Sequence, residues 1–183
     1  FFFSFLLIKD MLTNTTHIMT SFLFKIMIIG ADHGGLSLKA ALKHEAQAWG
    51  VHVIDVGTHD DASVDYPDMA HALVRALAEH QDTTETKDVG ILHLKPDVCG
   101  VLVCGSGIGM SMAANRTKGV RAALCHNAAT AELARRHNNA NVLVLGGRLL
   151  AKETATEMLR LFMTTPFDAG RHTQRVLKID RLS

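Results

Sequence analysis

The sequence has few aromatic residues, no strong charge bias and no apolar run long enough to cross a membrane. Aromatic residues make up 5% of the 183 positions, and most of the phenylalanines lie within the first 24. Alanine, leucine, valine and isoleucine must therefore form the core. The apolar stretch at the amino terminus ends at Lys9, well short of the roughly 18 residues that a membrane span needs. We expect no membrane partner.

Charge and cysteine content exclude further classes of protein. Nineteen basic and 18 acidic residues give a formal net charge of +1, which provides no general attraction for nucleic acid. Three cysteines form an odd set without disulfide-like spacing, which indicates a reducing compartment and predicts a cytoplasmic protein. The 11 histidines include no HExxH motif and no Cys/His cluster, so we expect no metal and no cofactor.

The first 23 residues differ from the rest of the chain. They lack the basic region and the cleavage site of a secretory signal. We expect a disordered extension or a start codon assigned too early, with Met19 as the working start. Residues 24–183 are expected to form a single domain.

Short apolar segments alternate with helical patterns along this domain. Strands are predicted at residues 24–32, 51–57, 99–105, 120–126 and 141–147, and helices at 36–49, 66–80, 128–137 and 152–163, with a further helix opening after the third strand. Because the strands are apolar on both faces, the pattern predicts a three-layer α/β/α Rossmann-like domain with a five-stranded parallel sheet. Ligands bind such sheets at the carboxyl ends of the strands, where the strand order reverses. The polar segment 81–97 breaks the alternation and is interpreted as a surface insertion containing a helical turn or an edge strand.

The segment VLVCGSGIGM (residues 101–110) runs from a strand through alternating glycines into a helix. Its glycines do not match the dinucleotide fingerprint, and no Gly-Lys-Ser/Thr of a phosphate-binding P-loop follows. The backbone N–H groups of such a loop suit a phosphate or a developing oxyanion. Cys104 stands beside these donors, where a helix N-terminus favours a thiolate. Either Cys104 is a base or nucleophile, or it is a small buried core residue; Cys99 and Cys125 are interpreted as core residues.

Basic residues indicate an anionic ligand. Arg171 and Arg175 lie at positions i and i+4 of the predicted short helix in GRHTQRV, and Arg148 follows the fifth strand. Guanidinium groups arranged in this way can hold a phosphate bidentately. A solvated helix with incidental charge is the alternative for the first two. Asp32 and His33 follow the first strand and belong to the same sheet edge.

These motifs together resemble the ribose-5-phosphate isomerase type B family. The matching segments, in family order, are IGADHGG, DYPDMA, VCGSGIGMSMAANR, GVRAALCH, RRHNNANVLVLGGR and GRHTQRV. They extend over nearly all of residues 25–180, apart from the insertion. The resemblance implies interconversion of an aldopentose phosphate and its ketose through a cis-enediolate.

The resemblance also implies a role for each matching residue. Cys104 would be the base and His137 the acid that opens the furanose ring, with help from Ser106. The other implied residues divide into those that stabilise the enediolate, those that contact the sugar and those that hold the phosphate. They are Gly105, Ser106, Gly107, Ile108 and Gly109 for the enediolate, Asp32, Tyr66 and Asn138 for the sugar, and His33, Arg148, Arg171 and Arg175 for the phosphate.

One position distinguishes two subtypes of the family. Some members use a glutamate six residues after the cysteine position as base, and here that position is Met110, so the sequence belongs with the cysteine subtype. The resemblance further implies a homodimer or tetramer with active sites at the subunit interface. Two alternatives stay open: isomerisation of a hexose 6-phosphate, and a catalytically silent phosphosugar-binding module.

Overall fold

The computed structural model describes residues 22–82 and 93–181. In this part of the chain the strands are β1 Ile26–Ala31, β2 His52–Asp55, β3 Val98–Cys104, β4 Ala122–Leu124 and β5 Val142–Gly146. The α-helices are α1 Leu36–Ala48, α2 Tyr66–Ala78, α3 Ile108–Ala114, α4 Ala128–Asn138, α5 Lys152–Thr164 and α6 Arg171–Arg181. A short 3-10 helix, His33–Gly35, joins β1 to α1.

All five strands are parallel and follow the order β2-β1-β3-β5-β4. Strand β1 pairs with both β2 and β3, so the direction of chain progression reverses between β1 and β3. The register places Ala31 opposite Val103 and Cys104 opposite Gly146, which aligns the carboxyl ends of the three central strands. The predicted fold class is confirmed.

Helices cover both faces of the sheet. Met27 and Ile29 of β1 pack into one apolar cluster with α1, α4 and α5, around fully buried residues such as Phe162. Ile28 and Leu102 belong to a second cluster with α2 and α3 on the opposite face. Alternate residues of one strand therefore serve both clusters, which is why the strands contain few polar positions.

The strand boundaries differ from prediction by one or two residues, and β4, which is two residues shorter than predicted at each end, is only three residues long. It lies at the edge of the sheet and pairs with β5 alone. On its outer side, the Asn115 side chain accepts from the Ala122 N–H and donates to the Ala122 carbonyl, each at 2.8 Å. This side chain occupies the hydrogen-bonding groups that a further strand would use.

Two other expectations concern residues that lie largely outside the described part of the chain. The expected N-terminal extension falls on residues 1–23, of which only 22 and 23 are described. The ends of the expected insertion are joined by one antiparallel bridge, Gln81 to Leu94, while residues 83–92 lie outside the described part. None of the described helices is long and apolar enough to span a bilayer.

A buried ion pair links α1 to the end of β2. Lys39 Nζ donates to Asp55 Oδ1 at 2.7 Å and to the Thr58 carbonyl at 2.6 Å, and both charged side chains are less than one-tenth exposed. Burial by itself raises the pKa of Asp55, but hydrogen bonds from Lys39, Lys43 and a backbone N–H outweigh it, so the pKa lies below its ordinary value. The pair therefore stabilises the fold above the ordinary carboxyl pKa of 3.8, and this stabilisation is lost as the pH falls through the lowered folded value.

Replacing Asp55 with asparagine is expected to lower the free energy of unfolding at pH 7 by about 3 kcal/mol, because Lys39 keeps its charge without a buried partner. The measurement is urea denaturation of the wild type and the variant. Glu157→Gln is the matched control, since it breaks a solvent-exposed pair with Arg160 and should cost less than about 1 kcal/mol. Equal losses of unfolding free energy in the two variants would contradict a stabilising role of the buried pair. So would a loss in Asp55→Asn that stays the same at a pH low enough to protonate Asp55 in the wild type.

Candidate active site

A cleft of about 380 Å³ lies at the carboxyl ends of β1, β3 and β5, where the strand order reverses. Its lining combines polar side chains that follow the strands with the glycine-rich turn between β3 and α3. The lining residues are Asp32, His33, Gly34, Tyr66, Cys104, Gly105, Ser106, Gly109, Arg148 and Leu149. We refer to this site as the cleft.

Cys104 is the last residue of β3, and its thiol is held by the following turn. Sγ accepts a hydrogen bond from the Gly107 N–H at 3.1 Å. Gly107 has a φ of +82°, and a Cβ at this position would lie 2.4 Å from Leu124 Cδ1. The turn that delivers this N–H to the thiol therefore requires glycine.

Asp32 and His33 hold the backbone as well as line the cleft. Asp32 Oδ1 accepts from the Gly35 N–H at 3.0 Å and caps the 3-10 helix. His33 Nδ1 accepts from the Val64 N–H at 3.4 Å, which ties the β2–α2 loop to the cleft. In the neutral imidazole this bond places the remaining ring proton on Nε2.

Tyr66 and Arg148 pack against opposite ends of the Gly105–Gly109 loop. The Tyr66 ring lies against Gly109 so closely that a Cβ there would be 2.5 Å from Tyr66 Cζ. The Arg148 side chain lies beside Gly105, and its backbone N–H donates to the Gly105 carbonyl at 3.0 Å. A guanidinium thus stands at the loop that holds the thiol.

The other two cysteines have different surroundings. Complete burial raises the pKa of the Cys99 thiol to about 12, slightly offset by the charge of Arg135. Burial also raises the pKa of Cys125 to about 11. Both stay protonated near neutral pH, in keeping with their interpretation as core residues.

A second group of predicted residues lies away from the cleft. Helix α4 starts after the carboxyl end of β4 and runs back along the sheet, so His137 and Asn138 lie at its far end. His137 stacks on His172 of α6, and the charges of Arg171 and Arg175 act on His172. We call His137, His172, Arg171 and Arg175 the α4–α6 cluster.

The structure therefore divides the predicted site into two parts. Asp32, His33, Tyr66, Cys104, Gly105, Ser106, Gly109 and Arg148 line the cleft, and Gly107 and Ile108 complete its loop. Ile108 donates its N–H to Ser106 Oγ at 3.3 Å. His137, Arg171 and Arg175 lie in the α4–α6 cluster, while Asn138 lines a separate groove beside β4.

Three residues near these sites were not singled out from the sequence. Gly34 and Leu149 line the cleft, and both directly adjoin predicted residues. His172 stacks on His137, and it follows Arg171 in the GRHTQRV motif. Position next to a predicted residue is the signal that could have identified all three.

The cleft has the groups needed for proton transfer on a small anionic molecule: a thiol, a carboxylate, an imidazole and a guanidinium. Within residues 22–82 and 93–181, no three histidine, cysteine or acidic side chains are grouped to hold a metal ion. The thiol and the basic groups are the chemically active components that the structure brings together.

A family model described as ribose/galactose isomerase matches residues 27–179. The chain therefore belongs to the ribose/galactose isomerase family, which confirms the resemblance found in the sequence. Ribose-5-phosphate isomerase B of Escherichia coli (strain K12) is 34% identical over 152 residues, covering 83% of this chain and 92% of the relative.

Solved structures agree with this assignment. The structure of ribose 5-phosphate isomerase B from Anaplasma phagocytophilum is similar with a TM-score of 0.75 and 41% identity, covering 87% of this chain and 99% of that one. The structure of ribose-5-phosphate isomerase B from Mycoplasma genitalium, solved with bound ribulose-5-phosphate, has a TM-score of 0.74 and 35% identity. The matched region covers 85% of this chain and 94% of the Mycoplasma genitalium chain.

The cysteine environments predict selective alkylation. At pH 8 iodoacetamide should modify Cys104, which faces the cleft, and leave Cys99 and Cys125 unmodified because their raised pKa values keep them as thiols. Peptide mapping by mass spectrometry measures the modified fraction of each cysteine. Cys104→Ser is the control and should remove the label; modification of Cys125 at the rate of Cys104 would contradict the prediction.

Proposed function

We propose that the protein interconverts D-ribose 5-phosphate and D-ribulose 5-phosphate, with Cys104 as the base and without a metal ion. The observation that carries the proposal is the position of the Cys104 thiol. It accepts a hydrogen bond from the Gly107 N–H at 3.1 Å and lines the cleft together with His33 and Arg148. The names of the relatives above support the same substrate. The reaction belongs to the non-oxidative pentose phosphate pathway.

The first chemical step opens the furanose ring. The anomeric hydroxyl loses its proton, the bond from C1 to the ring oxygen breaks, a carbonyl forms at C1, and the ring oxygen gains a proton. We assign the proton donor for the ring oxygen to His137, with Ser106 and Asp32 close to the sugar in the cleft. General acid catalysis of this kind contributes about 10² to 10⁴ in rate.

The second step moves a proton between two carbons. The Cys104 thiolate removes the proton from C2, and the electron pair forms the C1–C2 double bond of the enediolate. Backbone N–H groups of the Gly105–Gly109 loop would stabilise the negative oxygen, as in an oxyanion site. Cys104 returns the proton to C1, and the O2 proton passes to O1, so that C2 becomes the ketone carbonyl and C1 carries the hydroxyl.

Phosphate binding and ring opening in this proposal require a second copy of the chain. Arg171, Arg175 and His137 lie in the α4–α6 cluster, away from the thiol of their own chain. In a two-fold symmetric dimer each copy can offer its cluster to the cleft of the other. The complete site would then combine Cys104, His33 and Arg148 of one copy with the cluster of the next.

Exposed apolar side chains around the cleft and β4 support this assembly. Ile108 and Met112 lie on one face of α3, which contacts β4, and are 49% and 66% exposed. Leu149, at the cleft itself, is 63% exposed. Large apolar side chains concentrated beside an incomplete site are typical of a surface that another subunit covers.

The first test of the proposal is conversion of ribose 5-phosphate in the presence of EDTA. The wild type should retain full activity, and Cys104→Ala should lose about a thousandfold in kcat because no other group is positioned to remove the C2 proton. Cys99→Ala is the matched control and should keep its activity. A Cys104→Ala enzyme with most of its activity would require another base.

The same assay with allose 6-phosphate addresses the hexose alternative. Faster turnover of the hexose phosphate would make the protein a hexose-phosphate isomerase with the same machinery. Absence of turnover with either sugar, together with phosphosugar binding, would favour the silent binding module.

Mixed dimers test whether sites are shared between copies. Cys104→Ala and His137→Ala should each be inactive alone, because each lacks one half of every site. After joint unfolding and refolding, random pairing should recover about a quarter of wild-type activity, since half of the dimers contain one intact site. The control mixes Cys104→Ala with Cys104→Ser, which should stay inactive. No recovery in the first mixture would contradict a shared site.

A further inference from the structure

Two histidine rings are stacked where the end of α4 meets the start of α6. The ring centroids of His137 and His172 are 4.3 Å apart, and the ring planes differ by 5°. His172 is only 8% exposed. One face of the proposed acid is therefore covered by a second, largely buried imidazole.

The surroundings of His172 favour its neutral form. Its Nε2 accepts a hydrogen bond from Arg171 Nε at 3.5 Å, which a protonated ring could not do. Burial lowers the pKa of His172, and the positive neighbours His137, Arg171 and Arg175 lower it further, against the opposing effect of Asp168. A neutral ring can lie against a protonated His137 without charge repulsion.

We propose that His172 is a positioning residue for ring opening, which fixes the plane of His137 by stacking and the direction of Arg171 by hydrogen bonding. The inference rests on the proposed function, because it requires His137 to protonate the ring oxygen of the sugar. His172 joins the acid and one phosphate-binding arginine into a single unit. The stacked ring opposes rotation of the His137 imidazole about its Cβ–Cγ bond, so that the ring nitrogens keep one direction.

The two directions of the reaction separate this role from a general contribution to the site. Ribulose 5-phosphate is open-chain, because its C5 oxygen carries the phosphate and cannot close a furanose ring on C2. Exchange of its C1 proton with solvent needs the Cys104 base and phosphate binding but no ring opening. Conversion of ribose 5-phosphate, which is mainly cyclic, needs all three.

The experiment compares His172→Gln and His172→Phe with the wild type. Glutamine can accept from Arg171 but provides no ring, whereas phenylalanine keeps a ring to stack on His137 but accepts no hydrogen bond. The two readouts are kcat and KM for ribose 5-phosphate, and the rate of C1 deuterium exchange into ribulose 5-phosphate followed by NMR. His44→Gln is the matched control, since the His44 side chain is 80% exposed on α1.

For His172→Gln we expect kcat with ribose 5-phosphate to fall about tenfold or more, which is the scale of a misdirected catalytic group. Its exchange into ribulose 5-phosphate should stay within about twofold of the wild type, because the base and the Arg171 contact are kept. His172→Phe should keep most of the kcat with ribose 5-phosphate because the stack on His137 is kept, while the KM for ribose 5-phosphate rises because the contact with Arg171 is lost.

Two results would overturn the inference. Equal losses of His172→Gln in both assays would reduce His172 to a general structural residue, and an unchanged kcat would show that the stack does not matter. Failure of the proposed function is recognised separately, because the wild type would then show neither conversion nor exchange, or Cys104→Ala would retain both.

Discussion

The hydrogen bond from the Gly107 N–H to the Cys104 thiol is the contact around which the rest of the cleft is arranged. It forms only because β3 ends at Cys104 and the chain turns through a left-handed glycine into α3. The same turn brings Gly105 against Arg148 and Gly109 against Tyr66. A residue with a side chain at Gly107 would be both strained and in collision with Leu124. The positions of the Cys104 thiol, the Arg148 guanidinium and the Tyr66 ring thus all depend on the backbone conformation of this turn.

The direction of the helices decides what a single chain can assemble. Helices that follow parallel strands run antiparallel to them. Residues at the end of α4 therefore lie towards the amino ends of the strands, whereas the cleft lies at the carboxyl ends of β1 and β3. His137 therefore lies far along the sheet from Cys104, although both belong to the proposed reaction. Because the fold separates the proposed acid from the proposed base, the proposed reaction requires the proposed dimer.

Much of the fold and one half of the site could be predicted from the sequence. Apolar strands alternating with amphipathic helices determine a parallel sheet, and the rule that ligands bind at carboxyl ends brings Asp32, Cys104 and Arg148 together. The rule does not locate His137, which lies near the end of α4, or Arg171, which begins α6. The resemblance implies that both belong to the active site, and the i, i+4 arginines of GRHTQRV also indicate an anionic ligand; the structure adds that His137 and Arg171 lie in one cluster.

Other features depend on tertiary geometry that no local pattern encodes. The stack of His172 on His137 depends on how α6 crosses α4, and the Lys39–Asp55 pair depends on the register of α1 on β2. The short β4 was overestimated because the apolar pattern of residues 120–126 continues beyond the three residues that pair with β5. Side-chain periodicity shows which residues are buried, but it does not show which backbone groups find a partner.

The side chain of Asn115 has a consequence for how copies of this protein can meet. It satisfies the outward N–H and carbonyl of Ala122, at the exposed border of an otherwise open sheet. Edge strands with free backbone groups invite uncontrolled extension of the sheet from one molecule into the next. At Ala122 the Asn115 amide takes the place of a peptide group from a further strand, so this residue is unavailable for pairing with a strand of another molecule.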